Sequence, residues 1–168
     1  MAIIISILAL LATFYQLHLQ RMHNEKSLKP LGQIDLPDYK KQVAVHIRNN
    51  GLGPLIIDRL TFVKDGQQYS SIDDCLHLDL KSYMRMAVSD TMKRVVLPNT
   101  HLVVFETQFE DHENEIEIDQ ARKQLASITL KVEGRDIYDN KIMLERDLQW
   151  FARNIQEKAI EQKFTPGN

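Results

Sequence analysis

The chain has 168 residues, a net charge of -2, 43% hydrophobic residues and 26% charged ones. This length supports one domain with a real core and excludes two large ones. The near-neutral charge argues against a nucleic-acid partner, which needs a concentrated basic face. Cys75 is the only cysteine, so an internal disulfide is excluded and the thiol fits a reducing compartment.

The chain opens on Ala2 to Tyr15, a run with no charge and almost no polar atoms. As a helix extended to Leu19 it measures about 28 Å, close to the roughly 30 Å hydrocarbon core of a bilayer. Tyr15, Gln16 and His18 then fall at the interface. Residues 1-19 therefore read as a transmembrane anchor, and the membrane is the first partner expected. A cleaved signal peptide calls for a basic segment before the apolar run and a small-x-small triplet after it, and neither stands out here. A helix buried in a soluble core or partner is the other alternative. Arg21, Lys26, Lys29, Lys40 and Lys41 follow the helix, so the positive-inside rule places the rest of the chain in the cytoplasm of a bacterial inner-membrane protein. Residues 20-30 form a basic stalk of good helix formers, stopped by Pro30.

Residues 31-164 read as the soluble domain and 165-168 as a tail. Gln33 to Leu36 is a short first strand. Val43, Val45 and Ile47 alternate with Ala44, His46 and Arg48, the period-2 pattern of a strand with one buried face. Asn49 to Pro54 breaks the pattern and Leu55 to Val63 resumes it, so this pair is expected to seed an antiparallel sheet. Lys64, Asp65 and Gly66 make a hairpin turn into Gln67 to Ser70. Ser71 caps an expected helix whose apolar side holds Cys75, Leu76, Leu78, Leu80, Tyr83 and Met84. Met92 to Leu97 and His101 to Gln108 read as a hairpin about Pro98-Asn99. Acidic residues dominate 106-119, a helix is expected over Glu117 to Ala126, and strands over Ser127 to Glu133 and Lys141 to Leu148. A C-terminal helix closes the domain. The fold class expected is mainly β, an immunoglobulin-like β-sandwich of about seven strands with short accessory helices.

His23-Asn24, Ser27 to Pro30 and the run Asn49-Asn50-Gly51-Leu52-Gly53-Pro54 resemble a pattern in short, single-pass, membrane-anchored bacterial proteins of unassigned function. Those carry an HN-x-x-S…P segment after the membrane helix and an N-x-G-x-GP turn in a β domain. Leu55 stands where that pattern has a small residue. The resemblance implies an inner-membrane tether and a sandwich, and it brings no catalytic residues.

The candidate sites weigh as follows. Asn50, Gly51, Gly53 and Pro54 read as a structural turn whose glycines hold positive φ; an anion-binding loop is the alternative. Asp73, Asp74, Cys75, His77 and Asp79 are the densest group of metal-type ligands, but His77 with one aspartate supplies at most two of the three or four a zinc site needs. No metal or other cofactor is expected. His46, His101 and His112 have no serine or cysteine in a recognisable motif, so no enzyme is expected. On the C-terminal helix, Leu144, Leu148, Phe151, Ala152, Ile155 and Ala159 share the face that packs on the sandwich. Trp150, Ile160 and Phe164 lie opposite, beside Arg153, and form the expected partner-binding stripe; the alternative is that the last turns fray. The function expected is a membrane-tethered, non-catalytic protein-interaction or scaffolding module. The alternative is a ligand-sensing or membrane-acting effector of a bacterial stress or phage-defence system.

Overall fold

A computed structural model describes residues 2-39, 41-78, 84-85, 94-109, 115-153 and 155. The chain is mainly β, with two antiparallel sheets, an N-terminal apolar helix and a second short helix.

The first helix, α1, spans Ala2–Ser27 and buries none of its residues. Ile3, Leu8 and Phe14 are 60% exposed or more. Its polar atoms are satisfied locally: Ser6 and Thr13 donate their hydroxyls to the carbonyls of Ala2 and Ala9, at 3.0 and 2.9 Å. Such back-bonding removes the cost of placing a hydroxyl in hydrocarbon. The helix ends three residues before Pro30, whose missing N–H and ring favour an extended residue ahead of it.

Ten strands follow among the described residues, more than the seven expected. Sheet A holds β1 (Gly32–Asp35), β2 (Asp38–Tyr39), β3 (Gln42–Asn49), β6 (Met84–Arg85) and β8 (His101–Gln108). Sheet B holds β4 (Leu55–Lys64), β5 (Gln67–Tyr69), β7 (Arg94–Val96), β9 (Ile128–Arg135) and β10 (Lys141–Asp147). Val43, Val45 and Ile47 of β3, Val104 and Phe105 of β8, and Leu55, Ile57, Leu60, Phe62, Leu130 and Val132 of sheet B form one core between the sheets. A bulge between Val45 and His46 shifts the β3–β8 register by one residue, which lets consecutive Val104 and Phe105 both be buried at 0% exposure.

Two expected pairings are corrected. β3 and β4 are not neighbours: β3 pairs with β1, β2 and β8, while β4 pairs with β5, β7 and β9. The 50-54 turn carries the chain across the roughly 10 Å between sheets instead of reversing it within one. The expected hairpin about Pro98-Asn99 is likewise a crossover, because β7 joins β4 in sheet B and β8 joins β3 in sheet A. Asn99, at φ 58, makes the sharp change of direction, a left-handed conformation that asparagine tolerates. Both corrections have one cause: a period of two fixes which face of a strand is buried, not which strand lies beside it.

Among the described residues the helix expected after Ser71 is a 3-10 turn, Ile72–Asp74, with Ser71 Oγ accepting from Asp73 N at 3.3 Å; Leu80 and Tyr83 of that expected helix lie outside the described residues. Cys75 to Leu78 is irregular, and Ile72, Cys75 and Leu76 are buried in the core from this irregular segment. The helix expected over 117-126 is present as α2, Glu115–Ala126. β10 occupies Lys141–Asp147, so Leu144 belongs to a strand and the C-terminal segment begins with a 3-10 turn at Gln149–Ala152.

The sandwich has two distinct ends. At one lie the α1 exit, the 50-54 and 97-100 turns and the β9–β10 turn at 136-140, since Arg135 pairs with both Ile56 and Lys141. At the other, α2 buries Ile118, Ala121 and Leu125 in the core shared with Leu148 and Phe151. α2 is fixed there by Arg122, which bonds Asp38 at 2.6 Å with both side chains at or below 9% exposure. Burial pulls the Arg122 guanidinium down, but its bonds to Asp38 and Asp119 outweigh this and raise its pKa.

Candidate functional site

At the α1 end, Asn49 closes β3 with its residue 0% exposed. Its Nδ2 donates to the carbonyls of Gly53 at 2.8 Å and Val96 at 3.0 Å. Its Oδ1 accepts from the backbone N–H of Leu31 at 3.2 Å and of Gly51 at 3.0 Å. The backbone of Asn49 bonds Asn99 and Thr100 as well. One buried amide, with every donor and acceptor used, therefore ties together the helix exit, the 50-54 turn, β7 and the approach to β8.

The glycines of this turn serve contact, not φ. Neither Gly51 nor Gly53 has positive φ; Gly66, at φ 78, is the glycine that does among the described residues, and this corrects the expectation for the turn. A Cβ on Gly51 would meet Leu31 N and Lys29 O at 2.4 Å, and one on Gly53 would lie 1.7 Å from Leu28 O. Residues 28-31 thus lie backbone against backbone on the turn, an approach only glycine permits. Asn50 is exposed and bonds Gln33 at 3.1 Å, and Pro54 is half-buried. The Gly51 N–H that an anion would need is taken by Asn49.

Beside this clamp a cavity of about 370 Å³ separates α1 from the β9–β10 hairpin, lined by Met22, Lys26 and Lys29 on one side and Asp136, Asn140 and Ile142 on the other. Asp136, 3% exposed, organises the hairpin turn. It accepts from the N–H groups of Tyr138 at 2.8 Å and Asn140 at 2.9 Å, and from Asn140 Nδ2 at 2.8 Å. Burial raises its pKa, but the bonds from Asn140 and Tyr138 outweigh it and hold the carboxyl below its ordinary value. Arg135 pairs with both Asp139 and Asp58.

At the far end Trp150 is 44% exposed and Arg153 stacks on its ring, 3.5 Å from the centroid. Its neighbour Phe151 is 0% exposed. Two of the four stripe residues are therefore together on the surface; Ile160 and Phe164 lie outside the described residues.

Two histidines named from sequence also meet. His46, 7% exposed, stacks on His101 with ring centroids 4.5 Å apart. Its Nε2 is 3.8 Å from Glu106 Oε2, and neither ring nitrogen has a hydrogen-bond partner among the described residues. Burial lowers the His46 pKa, His101 and Arg48 add to this, and Glu106 and Asp35 oppose it. His112 lies outside the described residues. Asp73 is engaged at the Ser71 cap, His77 N–H donates to Gln124 at 2.6 Å, and Cys75 is buried with its thiol pKa pushed up by desolvation. Among the described residues no three His, Cys, Asp or Glu side chains are grouped to hold a metal. Sequence reasoning placed Asn49 at the start of the turn without its buried bonding role, and it missed Asp136, because an Asn or Asp beside a turn gives no sign of being buried.

No family model matches the chain and no curated protein matches it. Among solved structures, the chain is similar to the archaellum periplasmic stator protein FlaG from Sulfolobus acidocaldarius, with 9% identity and a TM-score of 0.25. That match covers 69% of this chain and 100% of the other.

Proposed function

We propose that the protein is a single-pass inner-membrane module that holds a non-catalytic β-sandwich at the cytoplasmic face and presents its far end to a protein partner. The observation that carries this reading is α1: 26 residues, none of them buried, joined to the domain by a backbone-on-backbone clamp. Its apolar part, about 28 Å long up to Leu19, has no protein face to cover it among the described residues, so a bilayer is its natural solvent. The clamp gives the anchor a purpose, since it fixes the domain close to the membrane instead of leaving it on a loose tether.

Orientation follows from Arg21, Lys26 and Lys29 on the domain side of the apolar run, which favour the cytoplasm. The partner surface is the Trp150–Arg153 stack. A half-exposed tryptophan capped by a guanidinium, at the end remote from the membrane, has the residue chemistry that dominates interface energies. The test is a pair of C-terminal fusions with photo-crosslinking from position 150. A fluorescent C-terminal reporter, an inactive alkaline-phosphatase fusion and a discrete crosslinked product are expected. Strong phosphatase activity overturns the orientation, and the absence of any crosslink from position 150 overturns the partner surface.

A further inference from the structure

The β9–β10 turn carries two apolar residues at its tip, Ile137 at 46% and Tyr138 at 38% exposure. Hairpin tips are ordinarily polar, and this one is rigid: the Asp136 carboxylate accepts from the N–H groups of Tyr138 and Asn140, and Asp139 at φ 63 completes the turn. The same hairpin lines a cavity with Met22, Lys26 and Lys29 of α1. Met22 is three residues beyond Leu19, the end of the apolar span, and so stands about 4.5 Å further along the helix axis. The headgroup layer is about 5–7 Å thick on each side of the hydrocarbon. Asp136 and Asn140, at the two ends of the turn, share the cavity with Met22, which sets the turn beside that layer. Leu31, Leu52 and Leu97, each 58% exposed or more, ring the same end of the sandwich.

From this placement we infer that Ile137 and Tyr138 form a second membrane contact, which seats the domain on the surface of the bilayer that α1 spans. The inference rests on α1 being a membrane span and adds where the domain sits. Tyrosine is suited to the interface, with its ring against acyl chains and its hydroxyl among headgroups. Lys26 and Lys141 form no ion pair among the described residues, while the nearby acids are engaged: Glu25 with Arg21, Asp139 with Arg135, and Asp136 within the turn. The surface beside the tip is thus cationic, which favours anionic headgroups. Asn49 and the 51-53 clamp stop the domain from swinging away, so little ordering entropy opposes the contact.

The test uses the full chain in vesicles with brominated acyl chains. Trp150, the single tryptophan, is changed to Phe, and one reporter is introduced at a time: Tyr138→Trp at the tip, Gln68→Trp on β5 at the far end, and Phe14→Trp within α1. Circular dichroism confirms that each variant is folded. Quenching and a blue shift at positions 138 and 14, with neither at 68, are the expected result. Quenching must also weaken in zwitterionic vesicles relative to phosphatidylglycerol-containing ones, and equal quenching in both overturns the role given to the lysines. Quenching at 14 with a solvent-exposed spectrum at 138 overturns the tip contact and leaves the anchor standing. No quenching at 14 overturns the anchor, and the tip contact with it. Quenching at 68 as well overturns the seating of the domain by this end.

Discussion

Replacing Asn49 by alanine probes the joint on which the whole arrangement depends. The substitution removes four hydrogen bonds and leaves the Gly51 N–H and the Gly53 and Val96 carbonyls without partners, all on buried residues; the fourth partner, Leu31 N–H, belongs to a residue 58% exposed and can turn to water. An orphaned buried polar group costs about 1–3 kcal/mol, less where relaxation admits solvent. Three such groups sum to roughly 3–5 kcal/mol at the low end of that range. Asn50→Ala is the control, because it loses one exposed bond to Gln33 and should cost less than about 0.5 kcal/mol. Asn49→Asp should be no better than alanine, since it keeps the accepting oxygen and turns a second one on two carbonyls. Urea unfolding of the full chain in micelles, followed by far-ultraviolet circular dichroism, measures all three. An Asn49→Ala midpoint close to wild type, or an Asn50→Ala loss of equal size, would refute the hub.

Further substitutions separate the remaining contacts. Gly53→Ala should destabilise by about 2 kcal/mol or more through the 1.7 Å overlap with Leu28 O, whereas Gly66→Ala, with open space but φ 78, should cost about 1 kcal/mol; equal losses in urea melts would contradict a clamp made by close approach. Phe151→Ala should cost about 3–5 kcal/mol because the ring is 0% exposed, while Trp150→Ala should leave the melt nearly unchanged. Arg122→Ala should cost about 3–5 kcal/mol by breaking its buried ion pair with Asp38, and an unchanged midpoint would show that α2 is held by its apolar contacts alone. Acid titration reads His46. Its folded pKa lies below its unfolded value near 6.5, so the unfolded chain binds the proton more readily. His46 is neutral on both sides above that pH, and stability falls as pH drops from about 6.5 toward the lowered folded pKa. His46→Gln should flatten that limb, and identical slopes would mean the histidine is not the group responsible.

The sequence showed the elements more clearly than their arrangement. β3 and β9 carry their alternation openly, and α1 its uncharged run. Their neighbours are hidden, because Val43, Val45 and Ile47 alternate in the same way whether β3 lies beside β4 or across the core from it. The 50-54 turn shows the same limit at finer scale. Its glycines mark a special position, but a tight φ and a close approach leave one signature, and only the neighbouring Leu28 to Leu31 backbone tells them apart. The role of Asn49 is hidden for a further reason: its four bonds reach residues up to 47 positions away. Trp150 and Phe151 are adjacent and chemically alike, yet a helical period sets them on opposite faces, and in the 3-10 turn at Gln149–Ala152 Phe151 is buried while Trp150 is half-exposed.

Alkaline carbonate extraction of native membranes tests the anchor most directly, because it releases peripheral proteins and retains spanning helices. The full chain should stay in the membrane pellet and a chain lacking residues 2-19 should move to the supernatant. Release of the full chain, or retention of the shortened one, would contradict a membrane-spanning α1.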